Sequence, residues 1–249
     1  MNHLFTLETT GSSDSTAVTI GLGRPSLTRD IMLSNNRTYL IFGAPGSGKG
    51  TQGRALGTLP GFFHCACGDV FRSIDTRSSL GKAFIEYSSK GQLVPDEITV
   101  ELWRVSIRHF IDSHQFKPEA DFLVLDGIPR NVRQAELMDS FIDVTAIFYL
   151  RCSDREAVVS RLKKRAVRDN RLDDANETVI RQRLETYERE TEPLLDHYSA
   201  DLIVEVDASK SPIEVLGSIV SKVVGYQAQI PRLHHDRSST TSSLSWRTH

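Results

Sequence analysis

The sequence predicts an α/β fold in which helices cover both faces of a five-stranded parallel sheet. Two observations support this prediction: short apolar runs alternate with stretches of helical spacing, and the first run leads directly into a glycine-rich loop. The apolar runs span residues 40–42, 61–64, 122–125, 145–150 and 202–206. In sheets of this kind, ligands lie beyond the carboxyl ends of the strands. We therefore expect functional residues to follow these runs.

The composition of the chain narrows its class. The 249 residues are 39% hydrophobic and 25% charged, which is ordinary for a globular protein. A formal net charge of −2 does not favour a nucleic-acid or membrane partner, which would need a broad basic surface. Three cysteines, Cys65, Cys67 and Cys152, suit neither a disulfide framework nor a structural zinc site. We therefore expect a reducing, cytoplasmic location.

Both ends of the chain differ in composition from its middle. Residues 1–36 are rich in Ser, Thr and Gly with little periodic apolar signal, and residues 227–249 contain an unbroken Ser/Thr run at 238–243. Such composition does not support a packed core, so we expect a disordered N-terminal extension and a disordered C-terminal tail. A regulatory or docking role is the alternative for these segments. Residues 37–226 form the predicted folded domain.

The loop after the first apolar run reads G-A-P-G-S-G-K-G-T-Q over residues 43–52. The spacing of Gly43, Gly48 and Lys49 is that of a phosphate-binding loop, in which backbone N–H groups and a lysine surround an anion. Gly50 stands where the general motif has Ser or Thr, and the hydroxyl follows at Thr51. A glycine-rich turn with an exposed lysine is the alternative. The predicted nucleotide-phosphate ligands are Gly46, Ser47, Gly48, Lys49, Gly50 and Thr51.

Residues 73–112 have helical spacing and no strand signal. Structureless connections of this length are uncommon, so we interpret the segment as a helical insertion. Within it, Pro95-Asp96-Glu97 reads as a helix start, because acidic residues in the first turn interact favourably with the helix dipole.

Three further motifs follow the phosphate loop in order: C-G-D-V-F-R at 67–72, L-D-G-I-P-R-N-V-R-Q-A at 125–135 and R-L-D-D at 171–174. With these motifs the chain resembles adenylate kinases and related nucleoside monophosphate kinases from about residue 37 to residue 225. The resemblance implies a P-loop kinase domain at 37–226. It also implies a helical NMP-binding insertion at about 67–96 and a short lid at about 165–174.

The resemblance implies reversible, Mg²⁺-dependent phosphoryl transfer from ATP to AMP, giving two ADP. Catalysis of such transfer is mainly positioning and charge stabilisation, and arginine binds phosphate oxygens through two parallel bonds. Arg72 and Arg130 would hold the acceptor phosphate, and later arginines would close over the transferring group. A solvated surface ion pair is the alternative for any one arginine. The implied catalytic residues are Lys49, Arg130, Arg165, Arg171 and Arg183.

Asp126 ends the apolar run at 122–125, a common place for a carboxylate that holds Mg²⁺ through water. The resemblance assigns Asp126 to the magnesium shell and Asp69 to a neighbouring hydrated position. A turn cap is the alternative for Asp126, because Asp-Gly is also a turn signal. No general base is needed, because the attacking phosphate oxygen is already anionic.

The resemblance leaves open which base the acceptor nucleotide carries. Gln134 follows Arg130 by four residues, as in enzymes that take adenine, but Cys67 stands where those enzymes have threonine. We expect AMP as the acceptor. The alternatives are a UMP/CMP kinase and a nucleotide-sensing module with weakened catalysis. Cys67 is interpreted as a small pocket-lining residue, with a redox sensor as the alternative. The implied AMP ligands are Cys67, Gly68, Arg72, Leu93, Val94, Gly127, Arg130 and Gln134.

The lid is short, since five residues separate Arg165 from Arg171. This length leaves no room for the inserted zinc domain of long family members. Asp173 and Asp174 are expected to brace the closing arginines. By resemblance, Arg161 and Lys210 lie at the ATP base. The predicted partners are ATP, AMP and ADP, and the resemblance favours a monomer.

Overall fold

The computed structural model describes residues 36–169, 174 and 176–229. Its sheet has five strands in the order β2-β3-β1-β4-β5, and each neighbouring pair is parallel. The strands are β1 (Asn36–Gly43), β2 (Phe62–Ala66), β3 (Phe122–Asp126), β4 (Ile142–Arg151) and β5 (Ile203–Asp207). The predicted fold class is confirmed. The strand that leads into the glycine-rich loop lies at the centre of the sheet.

Helices connect the strands. They are α1 (Lys49–Leu56), α2 (Cys67–Arg72), α3 (Ser79–Ser89), α4 (Asp96–Asp112), α5 (Val132–Met138), α6 (Arg155–Arg168), α7 (Glu177–Thr186) and α8 (Pro212–Gln229). A π-helical turn (Tyr187–Thr191) directly follows α7, and two 3₁₀ turns (Glu192–Asp196 and Ala200–Leu202) lead to β5. Helices α3 and α4 occupy most of the strand-free stretch at 73–112.

The sheet divides the core into two apolar clusters. Leu40 and Phe42 of β1 belong to the first cluster, which also contains Trp103 of α4. Tyr39 and Ile41 belong to the second, which contains residues of α8 such as Ile219. Successive side chains of a strand point to opposite faces, so this alternation places helices over both faces of β1.

Helix α1 lies close against strand β2. A Cβ atom on Gly53 would lie 2.3 Å from Nε2 of His64, and one on Gly57 would lie 2.6 Å from the His64 Cβ. The helix approaches the strand this closely because neither glycine has a side chain. The second half of α1 is thereby packed directly on strand β2.

The described ends of the domain differ slightly from the predicted boundaries. Strand β1 begins at Asn36, whose side-chain amide donates a hydrogen bond of 2.8 Å to the carbonyl oxygen of Phe141. Helix α8 continues to Gln229, past the predicted start of the tail at 227. The rest of the predicted extension and tail lies outside the described residues. Within the described ranges, no helix has the length and apolarity to cross a membrane.

Candidate active site

A cavity of about 540 Å³ lies beside the phosphate loop and the carboxyl ends of β1 and β3. Helices α2, α6 and α7 also contribute to its wall. Every predicted site residue that the structure describes lines this cavity. Arg171, which was also predicted to be a site residue, lies outside the described residues. Residues from motifs far apart in the sequence therefore share one chamber.

The phosphate loop has a backbone that only glycine adopts easily. Gly46 and Gly48 have φ angles of 84° and 104°, in the left-handed region. Lys49 begins α1, and its Nζ donates hydrogen bonds to the carbonyl oxygens of Gly43 (2.7 Å) and Ala44 (3.0 Å). The lysine side chain therefore folds back over the loop, beside the positive end of the helix dipole.

Burial lowers the pKa of Lys49 to about 8. The nearby carboxylate of Asp126 opposes this shift, whereas the charges of Arg130, Arg165 and Arg183 lower the pKa further. Positive charges from three separate segments thus act on one ammonium group. An arrangement of this kind favours a bound polyanion, which would relieve the mutual repulsion.

Two arginines, Arg72 and Arg130, line the cavity beside α2 and the carboxyl end of β3. Arg130 Nε donates a hydrogen bond of 2.9 Å to the carbonyl oxygen of Gly127, which holds the guanidinium beside the β3 terminus. Arg72 forms an ion pair with Asp69, and Arg54 lies 4.0 Å from the same carboxylate. Asp69 is therefore a partner of arginines in this structure.

The carboxylate of Asp126 has no hydrogen-bond donor among the described residues. It lies against the start of α1, because a Cβ atom on Gly50 would be 3.2 Å from Asp126 Oδ2. In the described part of the chain, no group of three His, Cys, Asp or Glu side chains is placed to hold a metal ion. A carboxylate without hydrogen-bond donors, placed beside a phosphate loop, fits a cation that keeps most of its water and its phosphate ligands.

Asp174 joins two arginines on the lid side of the cavity. Its side chain is 0% exposed, and those of Arg165 and Arg183 are 24% and 20% exposed. Arg165 Nε donates a hydrogen bond of 2.7 Å to Asp174 Oδ2, and Arg183 Nη1 donates to Oδ1. Asp174 braces both arginines as predicted, while Asp173 lies outside the described residues.

The wall near β5 is held by two side chains. Arg161 Nη1 donates a hydrogen bond of 3.0 Å to the carbonyl oxygen of Ala208, in the loop that carries Lys210. Gln52 Nε2 donates one of 3.0 Å to the carbonyl oxygen of Pro212. The first bond joins α6 to the β5–α8 loop, and the second joins α1 to the first residue of α8, at this end of the cavity.

The helical insertion contacts α7 across the cavity. Gly91 has a φ of 67°, and a Cβ atom there would lie 3.1 Å from Cγ and 3.2 Å from the backbone nitrogen of Arg183. Thr186 Oγ1 donates a hydrogen bond of 3.1 Å to the Gly91 carbonyl oxygen. The structure therefore has the insertion closed against the helix that carries Arg183.

Comparison with known proteins agrees with this geometry. The sequence model of the adenylate kinase family matches residues 41–203, which include the phosphate loop, the acceptor motifs and the lid. The chain belongs to the adenylate kinase family. An adenylate kinase of Mycoplasma pneumoniae is 30% identical over 221 residues, covering 78% of this chain and 100% of that protein. One of Porphyromonas gingivalis is 34% identical over 191 residues, covering 74% and 94%. One of Parabacteroides distasonis is 38% identical over 165 residues, covering 64% and 82%.

Within this adenylate kinase family member, Cys67 is a buried wall residue. Burial raises the pKa of its thiol to about 11, and nearby Arg130 and Arg72 only partly oppose the shift. A redox-sensing cysteine needs a thiolate at neutral pH, which this environment disfavours. The interpretation as a small pocket-lining residue therefore fits the structure better.

Sequence reasoning missed the residues that surround Gln134. Its amide oxygen accepts a hydrogen bond of 2.9 Å from the Arg130 N–H, and its amide nitrogen donates one of 2.8 Å to Asp96 Oδ1. Asn131 Nδ2 donates to the same Asp96 oxygen at 2.9 Å. The sequence does place Asp96 at a helix start, but nothing local indicates that this helix lies against α5.

Proposed function

We propose that this protein catalyses the reversible transfer of the γ-phosphoryl group of ATP to AMP, giving two ADP. One observation carries the proposal: Lys49, Arg130, Arg165 and Arg183 converge on one cavity, close enough for the three arginines to lower the pKa of the lysine. Phosphoryl transfer between two nucleotides needs such a concentration of positive charge, because its transition state spreads negative charge over several oxygens. The names of the relatives support the same reaction.

In this proposal the two ends of the cavity hold different substrates. The loop at 43–52 and Lys49 bind the ATP phosphates, and Arg161 and Lys210 border its base. Arg72 and Arg130 bind the phosphate of AMP, whose anionic oxygen attacks without a general base. Arg165, Arg171 and Arg183 stabilise the charge that develops on the transferring group. Asp126 would hold the water shell of Mg²⁺, which neutralises phosphate charge when it is bound with ATP.

Closure of the insertion and the lid completes the proposed mechanism. A closed cavity strengthens charge interactions and keeps water away from the γ-phosphoryl group, which would otherwise be hydrolysed. The contact between Gly91 and Thr186 supports this role, because it joins the acceptor side to the helix of Arg183. A cytoplasmic location and a monomeric state stay predictions from the sequence.

The proposal is tested by measuring ADP formation from ATP and Mg²⁺ with AMP, CMP, UMP and GMP in turn. We expect AMP to give the highest kcat/KM, because the Gln134 amide can both donate to and accept from adenine. A preference for UMP or CMP would instead identify a pyrimidine kinase, as Cys67 suggested. Absence of transfer to every acceptor would contradict the assignment as a nucleoside monophosphate kinase.

A further inference from the structure

Asp96, at the start of α4, accepts hydrogen bonds from two side chains of the acceptor motif. Gln134 Nε2 donates to Asp96 Oδ1 at 2.8 Å, and Asn131 Nδ2 donates to the same oxygen at 2.9 Å. Asn131 also caps α5, since its Oδ1 accepts a hydrogen bond of 2.8 Å from the Gln134 N–H. The carboxylate thus connects the end of the insertion to the start of α5.

These contacts fix the orientation of the Gln134 amide. A carboxylate accepts hydrogen bonds only, so Asp96 requires the NH₂ group of Gln134 on its side. The backbone N–H of Arg130 donates only, so it requires the amide oxygen on the other side. A reversed amide would place oxygen against carboxylate and NH₂ against N–H at the same time. The bond to the charged group is the stronger of the two constraints.

The amide retains hydrogen-bonding capacity beyond these contacts. An amide NH₂ group carries two hydrogens and its oxygen has two lone pairs, so one N–H and one lone pair of Gln134 stay unused by these partners. Gln134 is 0% exposed and forms part of the cavity wall with Cys67 and Val94. Both polar atoms already have one partner each, and a base bound in the cavity would use the remaining N–H and lone pair.

A fixed amide distinguishes purines by the group at position 6. Adenine presents an NH₂ donor there beside an acceptor nitrogen at position 1, whereas hypoxanthine and guanine present an oxygen acceptor beside an N–H donor. An amide of one orientation matches one of these patterns, and the reversed amide matches the other. A protein that accepts AMP and rejects IMP through this amide must therefore prevent the reversal.

We propose that Asp96 is a positioning residue for acceptor specificity. It holds the Gln134 amide with its NH₂ group towards Asp96 and its oxygen towards the Arg130 N–H. In this orientation the amide matches the hydrogen-bonding groups of a 6-amino purine and mismatches those of a 6-oxo purine. This inference rests on the proposed function, because it takes AMP as the acceptor. Asp96 acts through Gln134 and touches no reacting atom.

The test compares three single variants of the full chain. Asp96→Ala removes the acceptor, and Asp96→Asn retains an uncharged acceptor oxygen. Glu97→Ala is the matched control: Glu97 is the next residue of α4, is 69% exposed, and pairs with Arg133 of α5 at 3.6 Å. Its loss weakens the same helix contact without touching Gln134. For each protein, kcat and KM are measured with AMP and with IMP at saturating ATP and Mg²⁺.

We expect the AMP-to-IMP ratio of kcat/KM to fall about tenfold in Asp96→Ala, the effect of losing one charge-assisted hydrogen bond. The change should lie mainly in KM, with an intermediate ratio in Asp96→Asn and the wild-type ratio in Glu97→Ala. A wild-type ratio in Asp96→Ala would overturn the inference, and so would an equal fall in Glu97→Ala. If Asp96→Ala does not fold, the ratio of Asp96→Asn decides alone. A wild-type protein without AMP activity would refute the proposed function instead.

Discussion

Lys49 titrates in an unusual range for a lysine, since burial lowers its pKa to about 8. Bound phosphates favour the charged form, so the pKa of Lys49 in the complex should be higher than in the free protein. The lysine contribution to nucleotide binding is then complete below about pH 8. It is lost as the pH rises from that value through the pKa of the complex.

We therefore predict that ATP binding weakens by up to about tenfold per pH unit above about pH 8, with proton uptake on binding. Calorimetric titrations in two buffers of different ionisation enthalpy measure both quantities. Lys49→Met is the control, and it should show neither the uptake nor the pH dependence. Binding by the wild-type protein that is independent of pH in this range would contradict the prediction.

Removing the Lys49 charge should also reduce turnover. Two backbone carbonyl groups hold the Lys49 ammonium group over the phosphate loop. We expect Lys49→Met to lower kcat about 10²-fold or more, as for loss of a charge that stabilises a transition state. Lys117→Met, in an exposed loop, is the control and should keep wild-type kcat. A near-normal kcat in Lys49→Met would remove the lysine from its proposed role.

At the scale of elements, Asp174 joins α6 and α7 through one arginine of each helix. One buried carboxylate pairs with Arg165 from α6 and with Arg183 from α7, so it is a counter-charge for both guanidinium groups. Without that charge the arginines would repel each other in a partly dehydrated site. The pairing therefore serves folding as well as the placement of two proposed catalytic groups.

We predict that Asp174→Asn lowers the free energy of unfolding by about 2 kcal/mol, because the arginines lose a buried charged partner but keep some access to water. Urea denaturation measures the change. Glu177→Gln tests a solvent-exposed bridge between the same helices, through Lys163 of α6, together with the Glu177–Arg181 pair within α7, and should cost much less. Equal losses in the two variants would show that the buried position of Asp174 has no special effect.

Local sequence patterns predicted the strands and the phosphate loop but not the contacts between distant elements. All five apolar runs became strands, and the phosphate loop formed as its glycine spacing predicted. The strand order and the bond from Asp96 to Gln134 were not predicted, because they depend on contacts between distant segments. Asp96 illustrates the difference: its pattern predicts a helix start, whereas its partner 38 residues away follows only from the packing of α4 on α5.

At the scale of the molecule, the proposed reaction requires the segments around the cavity to separate and admit two nucleotides. The insertion contacts α7 through the hydrogen bond from Thr186 to the Gly91 carbonyl oxygen. Closure over both substrates agrees with a reaction that must exclude water. The closed arrangement should therefore be the one that a ligand spanning both sites stabilises.

We predict that a bisubstrate dinucleotide, two adenosines joined by five phosphates, slows amide hydrogen exchange in residues 73–94 and 165–174. ATP alone should protect the lid segment more than the insertion. Strands β1 and β3 serve as the internal reference, because they are the most deeply buried strands of the sheet. Lack of protection in either segment with the dinucleotide would contradict closure over two sites.

The position of Asn36 at the start of β1 determines how the protein would be oriented if it were immobilised through its N-terminal segment. Asn36 starts β1 at the edge opposite the phosphate loop, and it is anchored there by its buried side chain. At about 3.3 Å per residue, the strand places Asn36 about 23 Å from Gly43. A tether joined to the chain before residue 36 therefore meets the domain on the face away from the cavity. Immobilised molecules held this way should keep their nucleotide entrance open to the solution.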